Sequence, residues 1–451
     1  MLPRSSGGQP VRHPRYGKGV ILSVRDGGQT AYVFFKLLSL ARYLPASDLI
    51  LLGPDGNPIQ APTTGIVEGP QEPQPPPTVP VGAPSDVPIE KRRVLECLRQ
   101  GLPPPGRLMA WTVGFEQVRM QIEQSIAAVA TQRKGAVFVL AAEYGQGKSH
   151  VGQLALEMAR RSELLTMNVD LDGRSVTLRD GSRILALLLA SAHLPDGEGT
   201  SRVVPGLGTI LKEAAARLRG RIPSQCELFA PFLEIAEQWE GNEEAIELLE
   251  RYLSGEGKRL DIQLELSSLL GLPNLVLPPL KTNWGRLSDR LSAQATQLAR
   301  VVRLGIEAGA RGALVVIDEF DHEFDGYLRI SERSQDTLQV YCRLAEIGPV
   351  VFLLLTPAYD GLGLSNPRVL TLPKLDRDQL RQVMDNAVAA HKEVFPHLLD
   401  DGRGRLFQRL YGRYKDEYEA LGWGPRFFVR AGIEACDRAL EKRMSLGEIE
   451  L

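Results

Sequence analysis

Ala142-Glu143-Tyr144-Gly145-Gln146-Gly147-Lys148-Ser149 decides how this chain is read. It leaves a short apolar run, Ala136–Ala141, whose length and composition predict a buried strand, and it opens a helical period over Ser149–Arg161. Strand, glycine-rich turn, Gly-Lys-Ser and helix together form the context of a phosphate-binding loop. Gly145 and Gly147 carry no Cβ, so backbone N–H groups can approach phosphate oxygens. Lys148 reaches the β- and γ-phosphates, and the Ser149 hydroxyl is a ligand for Mg²⁺. The N-terminus of the helix adds its dipole to the attraction for the anion. The nucleotide-contact set from this stretch is Glu143, Tyr144, Gly145, Gln146, Gly147, Lys148, Ser149 and His150. Ala142 stands where the usual pattern has its first glycine. The alternative is a glycine turn before a helix with an accidental Lys-Ser.

Two further strands bear on that loop. Ala313-Leu314-Val315-Val316-Ile317-Asp318-Glu319 is a buried strand ending in two acids. Strands often end in solvated carboxylates, but beside a phosphate loop the pair reads as a Walker B element. Asp318 then holds Mg²⁺ through water, and Glu319 polarises the attacking water. Asp321 and Glu323 read as solvated acids. Val350–Leu355 is a third apolar strand, and Thr356 at its end is either a water-positioning hydroxyl or a simple strand cap.

Outward from these strands, helical and apolar segments alternate, the pattern of a parallel sheet covered on both faces. Helices are predicted at Ile89–Gln100, Gln117–Thr131 and Ser182–Ala192, with strands at Leu164–Leu171 and Val369–Leu372. Lys148 and Asp318 are 170 positions apart, so the helical stretch from about 209 to 310 reads as an insertion, placed where partners bind. Arg286, Arg290, Arg300 and Arg303 there face either phosphates or solvent. Residues 376–451 read as a helical lid, closing a core that spans 89–375. Residues 54–88 contain 11 prolines and no lysine or arginine, an extended flexible linker with a reach of roughly 100 Å. Residues 1–53 hold seven basic and two acidic side chains. Their runs Gly19–Val24 and Thr30–Phe35, around Asp26-Gly27-Gly28, predict a hairpin in a small β-barrel.

Composition narrows the classes. With 43% hydrophobic and 24% charged residues, the 451-residue chain is not predominantly disordered. No apolar run approaches the ~18 residues of a membrane span. Cys97, Cys226, Cys342 and Cys436 are dispersed, which argues against a disulfide framework or zinc site and fits the cytoplasm.

The chain resembles the AAA+ ATPases, an α/β fold with a P-loop parallel-sheet core and a C-terminal helical lid. The resemblance makes Thr356 a sensor 1 residue and Arg426, in Gly424-Pro425-Arg426, the sensor 2 arginine acting from the lid. It sets Val113, in Val113-Gly114-Phe115-Glu116, near the adenine, and makes Arg368 an arginine finger acting on a neighbouring subunit's ATP. A surface ion pair is the alternative for either arginine. More narrowly, Arg92, Leu98-Arg99-Gln100-Gly101, Pro104, Val113-Gly114, Tyr144 to His150, Ile317-Asp318-Glu319, Leu355-Thr356-Pro357 and Pro425-Arg426 resemble the ATP-binding proteins of bacterial BREX-type phage-resistance clusters. His13-Pro14-Arg15-Tyr16-Gly17-Lys18-Gly19-Val20-Ile21 and Val33-Phe34-Phe35 are similar to the Tudor/SH3-like tail of UvrD-type helicases, a recruiter of partner proteins. These resemblances imply an ATPase with ATP and Mg²⁺ as cofactors, a homo-oligomer, and double-stranded DNA and defence-system proteins as partners. A nucleotide-dependent scaffold with negligible turnover, or an origin-recognition or transposition-regulating ATPase, are the alternatives.

Overall fold

The structure is a computed structural model and describes residues 10–13, 17–25, 30–35, 40–45, 50–51, 88–104, 108–143, 145–195, 206–239, 242–280, 287–324, 330–357, 362–364, 366–418 and 424–449. Near the N-terminus, β1 (Pro10–His13), β2 (Gly17–Arg25), β3 (Thr30–Phe35), β4 (Leu40–Pro45) and β5 (Ile50–Leu51) form an antiparallel sheet in the order β4-β3-β2-β1-β5. β2 pairs with β3, while the expected turn Asp26-Gly27-Gly28 and the linker through 87 lie outside the described residues.

Helices α1 (Ile89–Gln100), α2 (Leu108–Trp111) and α3 (Glu116–Gln132) precede β6 (Ala136–Ala141), α4 (Lys148–Arg161), β7 (Leu165–Asp170) and α5 (Gly181–Ala190). The inserted stretch holds α6 (Leu207–Leu218), α7 (Ala230–Glu234), α8 (Glu243–Ser254), α9 (Arg259–Leu269) and α10 (Leu287–Glu307). Then come β8 (Ala313–Asp318), α11 (Glu332–Cys342), α12 (Leu344–Ile347), β9 (Val350–Thr356) and β10 (Arg368–Thr371). The chain ends with α13 (Arg377–Val394), α14 (Arg403–Arg413) and α15 (Gly424–Lys442).

Two compact units emerge. One contains residues 115–142 and 148–373, the other the described parts of 1–114, 143–147 and 374–451. In the first, β6 to β10 form a parallel sheet in the order β10-β6-β9-β8-β7. β8 and β9 are buried along their whole length, as strands covered on both faces must be. α3 and α4 pack on one face, so closely that a Cβ on Gly152 would come within 2.5 Å of Leu355 Cδ1.

The opposite face carries α5, α10 and the inserted helices in one continuous apolar core, from Val139 and Leu165 to Phe232, Trp239 and Leu249. The sequence suggested a bundle standing out from loops. Instead, α9 packs on α8, α8 on α5 and α5 on β7. The Glu250 carboxylate of α8 accepts the Leu207 N–H that opens α6, and burial pushes its pKa up to about 7.

In the second unit, α1 packs with α13 and α15 through Leu95, Leu98, Ala387, Val394 and Ile433. The sequence reading grouped α1 with the sheet; its apolar stripe is instead covered by C-terminal helices. Arg99 Nε and Nη2 donate to both Asp437 oxygens at 3.0 and 2.7 Å, and the fully buried His391 places Nε2 3.0 Å from Asp437 Oδ1. Burial raises the Asp437 pKa, but the bonds from His391 and Arg99 outweigh it, and the net displacement is downward. A depressed carboxyl stabilises the fold above the unfolded pKa of ~3.9, and that contribution fades as pH falls through the folded value. Asp437→Asn should therefore cost about 1–2 kcal/mol at pH 7. Urea titrations should show the gap between parent and variant closing below about pH 4.

Candidate functional site

Parallel register brings the carboxyl ends of the strands to one edge of the sheet. Ala141 pairs with Thr356, Ile317 with Leu354, and Asp170 with Asp318. β9 lies between β6 and β8, so Thr356 stands between the strand that feeds the glycine loop and the strand that ends in Asp318. Thr356 is fully buried, and its carbonyl accepts the Ala142 N–H at 3.2 Å.

Lys148 begins α4 and is buried, with Nζ donating to the Ala142 carbonyl at 2.9 Å and lying 3.9 Å from Asp321 Oδ2. The Ser149 hydroxyl donates to the Asp318 carboxylate, which also accepts the Glu319 N–H at 2.7 Å. Glu319 adopts a left-handed backbone, φ 61° and ψ 35°, which a non-glycine residue holds only at a cost of order 1 kcal/mol. The strand therefore turns at once, keeping Glu319 beside Asp318. Burial raises the Asp318 pKa against the bonds from Ser149 and Glu319. Burial, then Asp318 and Asp321, push Glu319 up to about 7 against the opposing charge of Lys148.

Asp170 was absent from the sequence reading. It ends β7 beside Asp318 and raises the pKa of both Asp318 and Glu319, while burial raises its own. The only linear signal was one acid at the end of an apolar strand; its partner lies 148 positions on, across the sheet.

Glu323 corrects an expectation. It is buried, not solvated: its oxygens accept the Leu178 N–H at 2.8 Å and the Ser334 hydroxyl at 2.9 Å. It thereby ties the segment after β8 to the loop after β7 and to the start of α11. Asp321 is also largely shielded and faces Lys148.

In the glycine loop, Gly145 and Gly147 have φ of +79° and +100°, values that favour glycine. Gln146 Nε2 donates to Glu143 at 3.0 Å, and Lys374 Nζ is 3.5 Å from the same carboxylate. His150 lies in the first turn of α4, and burial lowers its pKa to about 4, which keeps it neutral. Tyr144 lies outside the described residues. Val113 is buried, and a Cβ on the adjacent Gly114 would come within 2.8 Å of Leu375 Cδ2. Arg426 lies in the first turn of α15, with its Cγ 2.9 Å from where a Gly101 Cβ would be. Arg368 opens the edge strand β10, donating to Ser125 Oγ at 3.3 Å with its guanidinium 5.5 Å from the Phe138 ring centroid. Arg303 pairs with Glu307 at 2.6 Å and Arg300 donates to Gln297; the side chains of Arg286 and Arg290 lie outside the described residues.

Four clustered carboxylates against one lysine leave an excess of negative charge that a divalent cation would offset. Among the described residues no group of three or more acids, histidines or cysteines is arranged to hold a metal alone. Mg²⁺ takes one or two protein ligands and completes its shell with water and phosphate oxygens, so Ser149 and Asp318 are the residues that would hold it. Asp170→Asn removes one repelling charge. It should stabilise the protein without nucleotide by about 1 kcal/mol and shrink the extra stabilisation given by Mg²⁺ with nucleotide. Calorimetric melting with and without Mg²⁺ and nucleotide measures both changes.

Residues 88–188 match the family model described as BREX system ATP-binding protein BrxC/D. The matched stretch is less than a quarter of the chain and includes α1, the glycine loop, α4 and β7, whereas Asp318, Glu319 and Thr356 lie beyond it. No curated protein matches the chain. The nucleotide-binding half of the site is thus similar to that of the ATP-binding proteins of BREX systems.

Proposed function

We propose that this protein binds and hydrolyses ATP as an AAA+-type P-loop ATPase in a BREX-like anti-phage defence system or a related DNA transaction in the cytoplasm. The observation that carries the reading is the convergence of Lys148, Ser149, Asp318, Glu319 and Thr356 at one edge of a sheet whose P-loop and acidic strands are separated by a third. Lys148 and the loop N–H groups bind the triphosphate. Ser149 and Asp318 would hold Mg²⁺, which supplies charge neutralisation at the β- and γ-phosphates. Glu319 takes a proton from the water that attacks the γ-phosphorus, with Thr356 aligning that water. The bond to the bridging oxygen breaks, giving ADP and phosphate. Lys148→Ala should abolish ATP binding, and Glu319→Gln should retain ATP while lowering turnover at least ~10²-fold. Nucleotide retention and phosphate release measure both; parental turnover in Glu319→Gln overturns the role of Glu319.

Assembly belongs to the same reading. Arg426 acts within its own subunit, and Arg368 completes a neighbour's site; its place on an edge strand supports presentation to another subunit. Arg368→Ala should bind ATP normally and hydrolyse it ~10³-fold more slowly. A mixture with Glu319→Gln should recover part of the activity, because some interfaces then pair an intact Arg368 with an intact Glu319. Absence of rescue in proven mixed assemblies leaves Arg368 as a local contact to Ser125.

The N-terminal segment, as a Tudor/SH3-like barrel on its proline-rich tether, recruits protein partners. Its net charge of +5 also supports contact with double-stranded DNA. A slow-turnover switch is the second reading. It is favoured by Glu319, whose pKa of about 7 leaves much of its carboxyl protonated, and so unable to accept a proton from water, at neutral pH.

A further inference from the structure

The sequence of α9, Arg259-Leu260-Asp261-Ile262-Gln263-Leu264-Glu265-Leu266, alternates apolar and polar residues with a period of two. Wound into a helix, that alternation sets leucines on two opposite faces. Ile262 and Leu266 are 2% and 0% exposed and face the core shared with the sheet. Leu260 and Leu264, one turn apart on the other side, are 61% and 69% exposed.

The next segment enlarges this outer face. Arg259 Nη1 donates to the Leu277 carbonyl at 3.1 Å, and the Leu277 N–H donates to Gln263 Oε1 at 3.0 Å. Tyr252 of α8 bonds the Pro278 carbonyl. These bonds clamp the chain along the margin of α9 beside Leu260 and Leu264. Leu275 and Leu277 turn inward at 9% and 0% exposure, which leaves Val276 outward at 65%. Three large apolar side chains thus stand exposed on a part of the fold that is fastened, not loose. On the other flank, Asp261 and Glu265 form an exposed acidic row, one turn apart.

We propose that this outer face of α9 docks an amphipathic helix of a partner protein, one whose leucine-type stripe is flanked by lysine or arginine. The apolar stripe fits a helix laid along it, and the acidic row fits a basic flank. A second copy pairing antiparallel through the same face would set Asp261 and Glu265 against their own equivalents, and an anionic lipid surface would meet the same acids. The inference rests on the reading of the inserted helices as a partner-binding element. It does not rest on ATP hydrolysis.

The test uses the full chain and two synthetic 20-residue helical peptides that share a leucine stripe, one flanked by lysines and one by glutamates. Fluorescence anisotropy should show the lysine peptide binding at least tenfold tighter than the glutamate peptide. Leu260→Ser with Leu264→Ser should abolish binding. Asp261→Lys with Glu265→Lys should reverse the preference. Thermal melting and ATP binding of each variant establish that the fold persists, so a lost interface is distinguishable from a lost nucleotide site. The proposal is overturned by equal binding of both peptides, by unchanged binding in the serine variant, or by an unreversed preference in the lysine variant. Self-association by light scattering that disappears in the serine variant overturns it in favour of a second copy. Binding of the parent, but not that variant, to phosphatidylcholine–phosphatidylserine vesicles overturns it in favour of a lipid surface.

Discussion

The level register of the parallel strands is the constraint on which the site depends. Because Ala141 aligns with Thr356 and Asp170 with Asp318, the end of β6, Thr356 and the acids emerge together at one edge. A one-residue slip of β9 would turn Thr356 to the opposite face. The apolar side chains of β8 and β9, gripped from both faces, hold that register. Packing deep in the sheet thereby fixes the chemistry at its rim.

At that rim the fold tolerates charge that a buried site would ordinarily reject. Lys148 answers part of it, and hydrogen bonds to Asp318 from Ser149 and Glu319 answer more. The remainder appears as raised carboxyl pKa values and a left-handed backbone at Glu319. Perturbed carboxyl groups and a left-handed residue of this kind gather at functional sites. The comparison reaches the first half of the arrangement, where the glycine loop and β7 lie.

What could be read from the sequence was what local pattern encodes. The alternation of short apolar runs with helical periods indicated a parallel sheet, and strand limits were recovered to within a residue or so at β6, β8 and β9. Asp170 was missed because its significance comes from Asp318, a neighbour only across the sheet. Glu323 was misread for the same reason, since its burial depends on Leu178 and Ser334 closing around it. α1 was misassigned because an amphipathic stripe says that a helix will be covered, but not by what. α9 was expected to be helical, but its period-two pattern left open which of its two apolar faces would be covered; the core takes Ile262 and Leu266 and leaves Leu260 and Leu264 outside.

The unbroken core beneath the inserted helices has a mechanical consequence. α9 rests on α8, α8 on α5, and α5 on the strand that carries Asp170, within one continuous apolar core. A load applied at α9 is borne by the sheet as by a cantilever rooted in its wall. The insertion and the acidic rim of the sheet are therefore joined by continuous packing, and a cavity opened under α8 lies on the path between them.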